Sequence, residues 1–346
     1  MTDPMSRQSA TAAVASAPPA DNGARLCQAY SGLPSPSGED GPPGMVWIAG
    51  GSFTMGSNKF YREEGPARRA SVSGFWIDRH EVTNAQFAAF VAATGYKTVA
   101  ERGLNAKDYP NLPPEALVPG SMVFVEPAKN ARIRMDITEW WRYVPGADWR
   151  HPAGPGSSIA GKENHPVVHI AYADAEAYAQ WLGRSLPTEA EWEFAARGGI
   201  DGADYTWGDE PNPDGQWMAN SWQGFFPFED DGSDGYHGTA PVGCFPQNGY
   251  GLFDMIGNVW EWATDWYRAD HDAVANGAVN PKGPAEMSAT VGGPVRVIKG
   301  GSWLCSPNFC ARYRPAARQP QEADLGASNI GFRTVLRAPA PANQRR

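Results

Sequence analysis

The sequence predicts an α+β fold with little regular secondary structure, and three observations predict it. Only three stretches carry a helical apolar period, all of them short. Short aromatic runs punctuated by Gly recur through the rest of the chain. The 39 Gly and 31 Pro make up about a fifth of the 346 residues, against roughly an eighth in ordinary globular chains. The 14 Trp, 12 Tyr and 14 Phe argue against disorder, which is poor in aromatics. The length fits one large or two ordinary domains.

Residues 1–43 are rich in Pro, Ala, Ser and Gly without a period and read as a disordered leader, and 338–346 as a similar tail. From Met45 to Gly56, two short strands flank Gly50-Gly51, and Val72 to Asp78 reads as another strand. A helix follows: Thr83 and Gln86 form a capping-box pair, Phe87, Phe90 and Val91 share a face, and Gly95 suits its end. A second helix spans about Asp174 to Leu182, with Tyr178, Trp181 and Leu182 on one side. A third starts at Thr188, with Glu191 completing another capping box and Gly198-Gly199 closing it. From Gly199 to Arg337 only strands, turns and long loops are expected. Their backbone groups need partners, which points to bound ions and dense side-chain-to-backbone hydrogen bonding.

Composition narrows the function classes. A formal charge of −9 without a basic patch argues against nucleic-acid binding. No run approaches about 18 apolar residues, so no membrane span is expected. The first residues lack the apolar core of a secretory signal, and four Cys do not make a disulfide scaffold. A soluble, cytoplasmic protein is the expectation.

The sharpest chemical feature is Cys305-Ser-Pro-Asn-Phe-Cys310. In a strand two side chains five apart point to opposite faces, but a bend over Pro307 can bring both sulfurs together. Three readings stay open: a structural pair, a redox disulfide with unusual spacing, or a site for a soft, low-coordinate ion such as Cu(I). Zinc would need a second Cys/His pair, which is missing. The segment Asp254 to Glu261 and the Gly- and Asp-rich loop Asn220 to Asp234 offer hard oxygens of the kind Ca²⁺ prefers, though turn chemistry alone selects the same residues. The histidines show no ligand spacing and read as hydrogen-bonding structural residues. Arg312, Arg314 and Arg318 either hold a buried polar network or meet a substrate carboxylate.

Taken together, residues 45–335 resemble the formylglycine-generating enzyme family, also called the sulfatase-modifying factor family. The segments that carry the resemblance are Gly50-Gly-Ser-Phe-Thr-Met-Gly56, Ile77-Asp-Arg-His-Glu-Val-Thr-Asn-Ala-Gln-Phe87, His165-Pro-Val-Val-His169 and Leu186-Pro-Thr-Glu-Ala-Glu-Trp-Glu193. Gly257-Asn-Val-Trp-Glu-Trp262, Lys299-Gly-Gly-Ser-Trp303 and Ser328-Asn-Ile-Gly-Phe-Arg333 continue it. The resemblance implies one C-type-lectin-like domain over 44–337. It further implies a copper-dependent oxidase that uses O₂ to convert a cysteine, within a Cys-x-Pro-x-Arg sequence of an unfolded or nascent sulfatase-type protein, to Cα-formylglycine. A monomer is expected.

By the same resemblance, Cys305 and Cys310 are the copper ligands and Ser302 assists at the oxygen and substrate end. Trp140 and Asn329 line the peptide cleft. One structural Ca²⁺ is held by Asn220, the Ser221 carbonyl, Asp234 and the Tyr236 carbonyl. A second is held by Asp254, the Gly257 and Val259 carbonyls and Glu261. Cys27 is expected to be a tail thiol and Cys244 a buried one, neither with a partner. The superfamily also contains calcium-stabilised, lectin-like binding modules without catalysis and iron-dependent sulfoxide synthases, so these stand as alternatives. The thiol pair disfavours the first, and the absence of histidine in the 44 leading residues disfavours the second.

Overall fold

The computed structural model describes residues 27, 41–107, 109–128, 137–269, 274–287, 289–290 and 293–337. Nearly all of the expected leader, the tail 338–346 and His271 lie outside the described residues. The architecture is α+β, with small sheets and short helices joined by long irregular connections. Among the described residues no helix is long and apolar enough to cross a membrane.

Strand β1 (Met45–Ile48) pairs antiparallel with β4 (Phe75–Asp78), which also takes β13 (Val335–Leu336), so the two ends of the domain close on one sheet. A second sheet joins β2 (Gly51–Met55) and β3 (Arg68–Val72) with β8 (Ala278–Val279), and β5 (Gly120–Phe124) pairs with β6 (Trp141–Pro145). The largest sheet runs β11 (Arg318–Glu322), β10 (Gly293–Lys299), β7 (Trp260–Trp266) and β12 (Ile330–Gly331), with β9 (Ala289–Thr290) beside β10. Both thiols of the Cys305–Cys310 segment hang from the connection between β10 and β11. The single strand expected from Val72 to Asp78 is instead two strands broken at Ser73-Gly74. A Cβ on Gly74 would stand 2.4 Å from the Trp47 ring. The chain changes sheets at a point of close approach, which apolar counting does not reveal.

Helix α1 (Asn84–Thr94) has the expected capping box, with the Gln86 N–H donating to Thr83 Oγ1 and Gly95 ending it at φ 69°. Helix α2 (Val99–Arg102) was not anticipated, although Thr98 and Glu101 carry the same signature and form the same reciprocal bonds. In α3 (Tyr172–Trp181), Tyr178 is buried as expected, but Trp181 remains 42% and Leu182 37% exposed. Helix α4 (Glu189–Ala196) begins from the Thr188 cap.

The core has three parts. Phe87, Phe90, Tyr178, Phe332 and Trp149 pack edge to face where α1 meets α3, and Cys305 sits in this cluster. A second cluster surrounds α4 with Trp192, Phe75 and Ile77, and a third joins Trp140, Trp222, Phe226 and Leu304. Buried ion pairs tie these elements together. Lys299 reaches Glu193 at 3.1 Å, Arg197 reaches Glu193 at 2.7 Å, Arg318 reaches Glu189 at 2.8 Å, and Arg333 reaches Glu261 at 2.7 Å. Buried pairs add little net stability, but removing one partner leaves an uncompensated charge, so they fix which elements meet.

Cys27 and Cys244 are not the solitary thiols expected. They form a disulfide, with Cα atoms 4.6 Å apart across 217 residues of sequence. No spacing rule connects two cysteines that far apart, so only the folded chain reveals the pairing.

Candidate active site

The thiol segment is a hairpin built by glycine at its neck. Gly300 and Gly301 follow β10 with φ of 92° and 75°, and a Cβ on Gly301 would stand 2.7 Å from the Tyr313 nitrogen. That close approach returns 311–313 against 300–302. Within the loop, Cys305 N–H donates to the Ser302 carbonyl at 2.8 Å, and Cys310 N–H donates to the Ser306 carbonyl at 2.9 Å. The bend over Pro307 brings the two sulfurs to 3.2 Å, both as free thiols. Cys305 is 1% exposed, while Cys310 is only partly buried, at the rim.

The two thiols do not ionise alike. Burial pushes Cys305 well above the ordinary thiol value, and its hydrogen bond to Cys310 adds to this. The same hydrogen bond, then the Arg312 guanidinium, pull Cys310 down to about 7 against the opposing effect of burial. As pH rises through neutrality, the pair therefore loses the first of its two protons, and the one that remains is carried by Cys305 and shared with the Cys310 thiolate.

Ser302 and Asn329 meet directly, the Asn329 amide donating to Ser302 Oγ at 2.9 Å, and both are buried. Trp140 is fully buried; Phe226 and Phe309 pack on it edge to face and stack on each other at 4.5 Å. Phe309 itself, between the two thiols in sequence, is 40% exposed. All three clustered arginines are paired: Arg312 with Glu63, Arg314 with Glu64 and Arg318 with Glu189. They form the polar network, and none is left free for a substrate carboxylate. His80, His165 and His169 are pulled to about 4, chiefly by burial, and each has a hydrogen-bond partner.

The two acidic loops touch each other and the hairpin. Asn258 N–H donates to the Asn220 carbonyl at 2.9 Å, and Asn220 Nδ2 donates to Asn258 Oδ1 at 3.1 Å. Trp222 N–H then donates to the Cys305 carbonyl at 3.0 Å, and Trp303 N–H to the Asn258 carbonyl at 2.9 Å. In the first loop, Ser221 N–H donates to Asp234 at 3.2 Å and Tyr236 N–H to Asp234 at 3.0 Å. In the second, Asp254, Gly257 and Asn258 take φ of 54°, 84° and 48°, and Asp254 accepts from Gly243 N–H at 2.6 Å.

The family model of the Sulfatase-modifying factor enzyme 1-like domain matches residues 30–338. The chain belongs to the sulfatase-modifying factor enzyme family. It is 52% identical over 297 residues to the formylglycine-generating enzyme of Mycobacterium tuberculosis, covering 84% of this chain and 97% of that one. It is also 40% identical over 304 residues to the inactive C-alpha-formylglycine-generating enzyme 2 of Mus musculus, covering 86% and 87%. Among solved structures it is similar to PvdO from Pseudomonas aeruginosa, with a TM-score of 0.57 and 25% identity over 88% of this chain and 98% of that one.

The donor atoms present determine which ions each place could take. Two soft sulfur donors in contact suit a soft monovalent ion, which would take the place of the shared proton without adding net charge. Among the described residues no three His, Cys, Asp or Glu side chains are placed to hold a metal by themselves. That arrangement does not resemble a histidine-rich iron site. The first acidic loop fits a cation: the Ser221 carbonyl, the Ser221 hydroxyl and Asp234 all converge on the donor end of the Gln223 amide. In the second loop, both Glu261 oxygens are taken by Arg333 and Trp192. Nearby Glu81, fully buried, has neither carboxylate oxygen hydrogen-bonded. Three buried carboxylates, Glu81, Asp254 and Glu261, thus act on one another around a single Arg333. Burial, then repulsion from Asp254, push Glu81 well above the ordinary carboxylate value, and a cation would take the place of its proton. Sequence reading missed Glu81, since a lone Glu before a helix cap has no ligand spacing.

In metal-free protein, iodoacetamide is expected to label Cys310 with a rate half-maximal near pH 7 and to spare Cys305. A midpoint at the ordinary thiol value would contradict the shared-proton arrangement. A second expectation concerns Asp254, which burial, then repulsion from Glu261, push up to about 6. A raised carboxylate favours the folded state below its unfolded value and loses that contribution as pH rises through the folded one. Ca²⁺, by contrast, binds the ionised form. The gain in melting temperature from Ca²⁺ over chelator should therefore grow between about pH 5 and pH 7. No gain at any pH would remove calcium from the loops.

Proposed function

We propose that this protein is an oxidase that uses O₂ and Cu(I) to convert the cysteine of a Cys-x-Pro-x-Arg segment in a sulfatase-type substrate to Cα-formylglycine. The observation that carries the reading is the contact of two free thiols at 3.2 Å, one buried and one at the rim. Family membership alone is not enough, because an inactive relative is also similar. A non-catalytic module has no use for two free thiols in contact, with one of them at the rim.

Cys305 and Cys310 would hold Cu(I), which would supply an electron-rich centre for chemistry with O₂. The rest falls to the protein. Cys310, already inclined to ionise, gives up little on losing its proton to a metal, whereas the buried Cys305 ionises only when a cation replaces its proton. The exposed face of Phe309, backed by Phe226 and Trp140, gives an extended peptide a flat apolar wall beside the rim thiol. Ser302, oriented by the Asn329 amide, offers a fixed hydroxyl at the base of the hairpin. Burial of Ser302, Leu304 and Cys305 keeps bulk water from the inner sulfur. The substrate CH₂–SH passes two protons and two electrons to O₂, which becomes H₂O₂, and water then replaces the sulfur, which leaves as H₂S, to give the aldehyde. The Ca²⁺ ions are structural and brace the loops that hold the hairpin.

Incubating the Cu(I)-loaded protein in air with a Cys-x-Pro-x-Arg peptide should yield the aldehyde mass by mass spectrometry. Either Cys305→Ala or Cys310→Ala should remove turnover while the protein still melts cooperatively. Full conversion by either variant would defeat the assignment.

A further inference from the structure

The segment Phe60 to Glu64, some 250 residues ahead of the thiols in sequence, closes over the outgoing arm of their hairpin. Ala311 N–H, next to Cys310, donates to Tyr61 Oη at 3.2 Å. The Arg312 guanidinium lies 3.8 Å over the Tyr61 ring and pairs with Glu63. Arg314 pairs with Glu64, lies 3.7 Å over the Phe60 ring, and donates from Nε to the Ala311 carbonyl at 2.7 Å. The two pairs differ in what they reach. Arg314 and Glu64 are buried together, whereas Arg312 is tied to the thiol residue itself, its backbone N–H donating to the Cys310 carbonyl at 2.8 Å.

The Arg312–Glu63 pair is a poor stabiliser of the fold. Its side chains are 22% and 21% exposed, and exposed or half-exposed pairs contribute little. It is nonetheless held from two sides, by a carboxylate and by an aromatic face, which removes the rotamer freedom of a long side chain. Outer partners of this kind orient metal ligands, and losing one costs about ten- to a hundredfold in metal affinity.

We propose that Tyr61 and Glu63 are positioning residues for the thiol site: together they anchor the Arg312 side chain and fix the Ala311 and Arg312 peptides, so that the rim sulfur of Cys310 is presented to the buried one. The inference rests on the reading of Cys305 and Cys310 as a Cu(I) pair. Glu63 carries the larger part, because it fixes the charge; Tyr61 fixes the peptide and the plane of the guanidinium.

The test uses the full chain, with Cu(I) titrated against a chromogenic Cu(I) chelator, iodoacetamide labelling of Cys310 in metal-free protein, and a thermal melt of each variant. Glu63→Gln is expected to weaken Cu(I) binding by about tenfold or more and to slow Cys310 labelling, with a nearly unchanged melting temperature. Tyr61→Phe should do the same to a smaller degree, and Arg312→Lys should retain more affinity than Arg312→Ala. Wild-type Cu(I) affinity and labelling rate in Glu63→Gln would overturn the proposal. Should the wild type itself take up no Cu(I), the copper reading fails, and the labelling rate alone decides whether Glu63 positions Cys310.

Discussion

Two sulfur atoms 3.2 Å apart can share one proton, but they cannot both carry charge without a cation between or beside them. Burial keeps the proton on Cys305, and the neighbouring hydrogen bond with Arg312 favours the charge on Cys310. A soft monovalent ion satisfies the same constraint as the proton and adds sulfur affinity to it. A divalent ion with hard preferences would find neither the oxygens nor the coordination number it needs. The rest of the structure can be understood as what holds these two atoms at that distance.

The hairpin has no regular secondary structure of its own, so its neighbours supply the rigidity. Its neck depends on Gly301, where a side chain would meet the Tyr313 backbone. Its inner arm is bonded through Trp222 and Trp303 to the two acidic loops, which are in turn bonded to each other through Asn220 and Asn258. Ions in those loops would therefore act on the thiols through two hydrogen bonds rather than through bulk stability alone. The outer arm is clasped by Tyr61, Glu63 and Glu64. Hydrophobic burial fixes the position of Cys305, while polar contacts fix that of Cys310. The difference leaves one sulfur dry and the other open to a partner.

Much of this was legible in the residues. The capping boxes at Thr83 and Thr188 placed two helices because the signal is local and reciprocal, and the same signal at Thr98 would have placed a third. The Cys305–Cys310 bend followed from Pro307 and the spacing. Three features were not legible, for one shared reason: each depends on residues far apart in sequence. The Cys27–Cys244 bond spans 217 residues. Glu81 meets Asp254 and Glu261 of the second acidic loop only in the folded chain, around Arg333. The clasp at Tyr61 and Glu63 pairs residues separated by about 250 positions. The break at Gly74 was missed differently, because apolar residues continue across a change of sheet.

The central claim is that these two sulfurs, and no nitrogen or carboxylate, hold a single Cu(I). Copper K-edge X-ray absorption on the loaded protein tests it most directly. The expected spectrum has two sulfur neighbours per copper, and the signal should vanish from a Cys305→Ser, Cys310→Ser double variant. A shell of nitrogen or oxygen neighbours, or copper retained by the double variant, would contradict it.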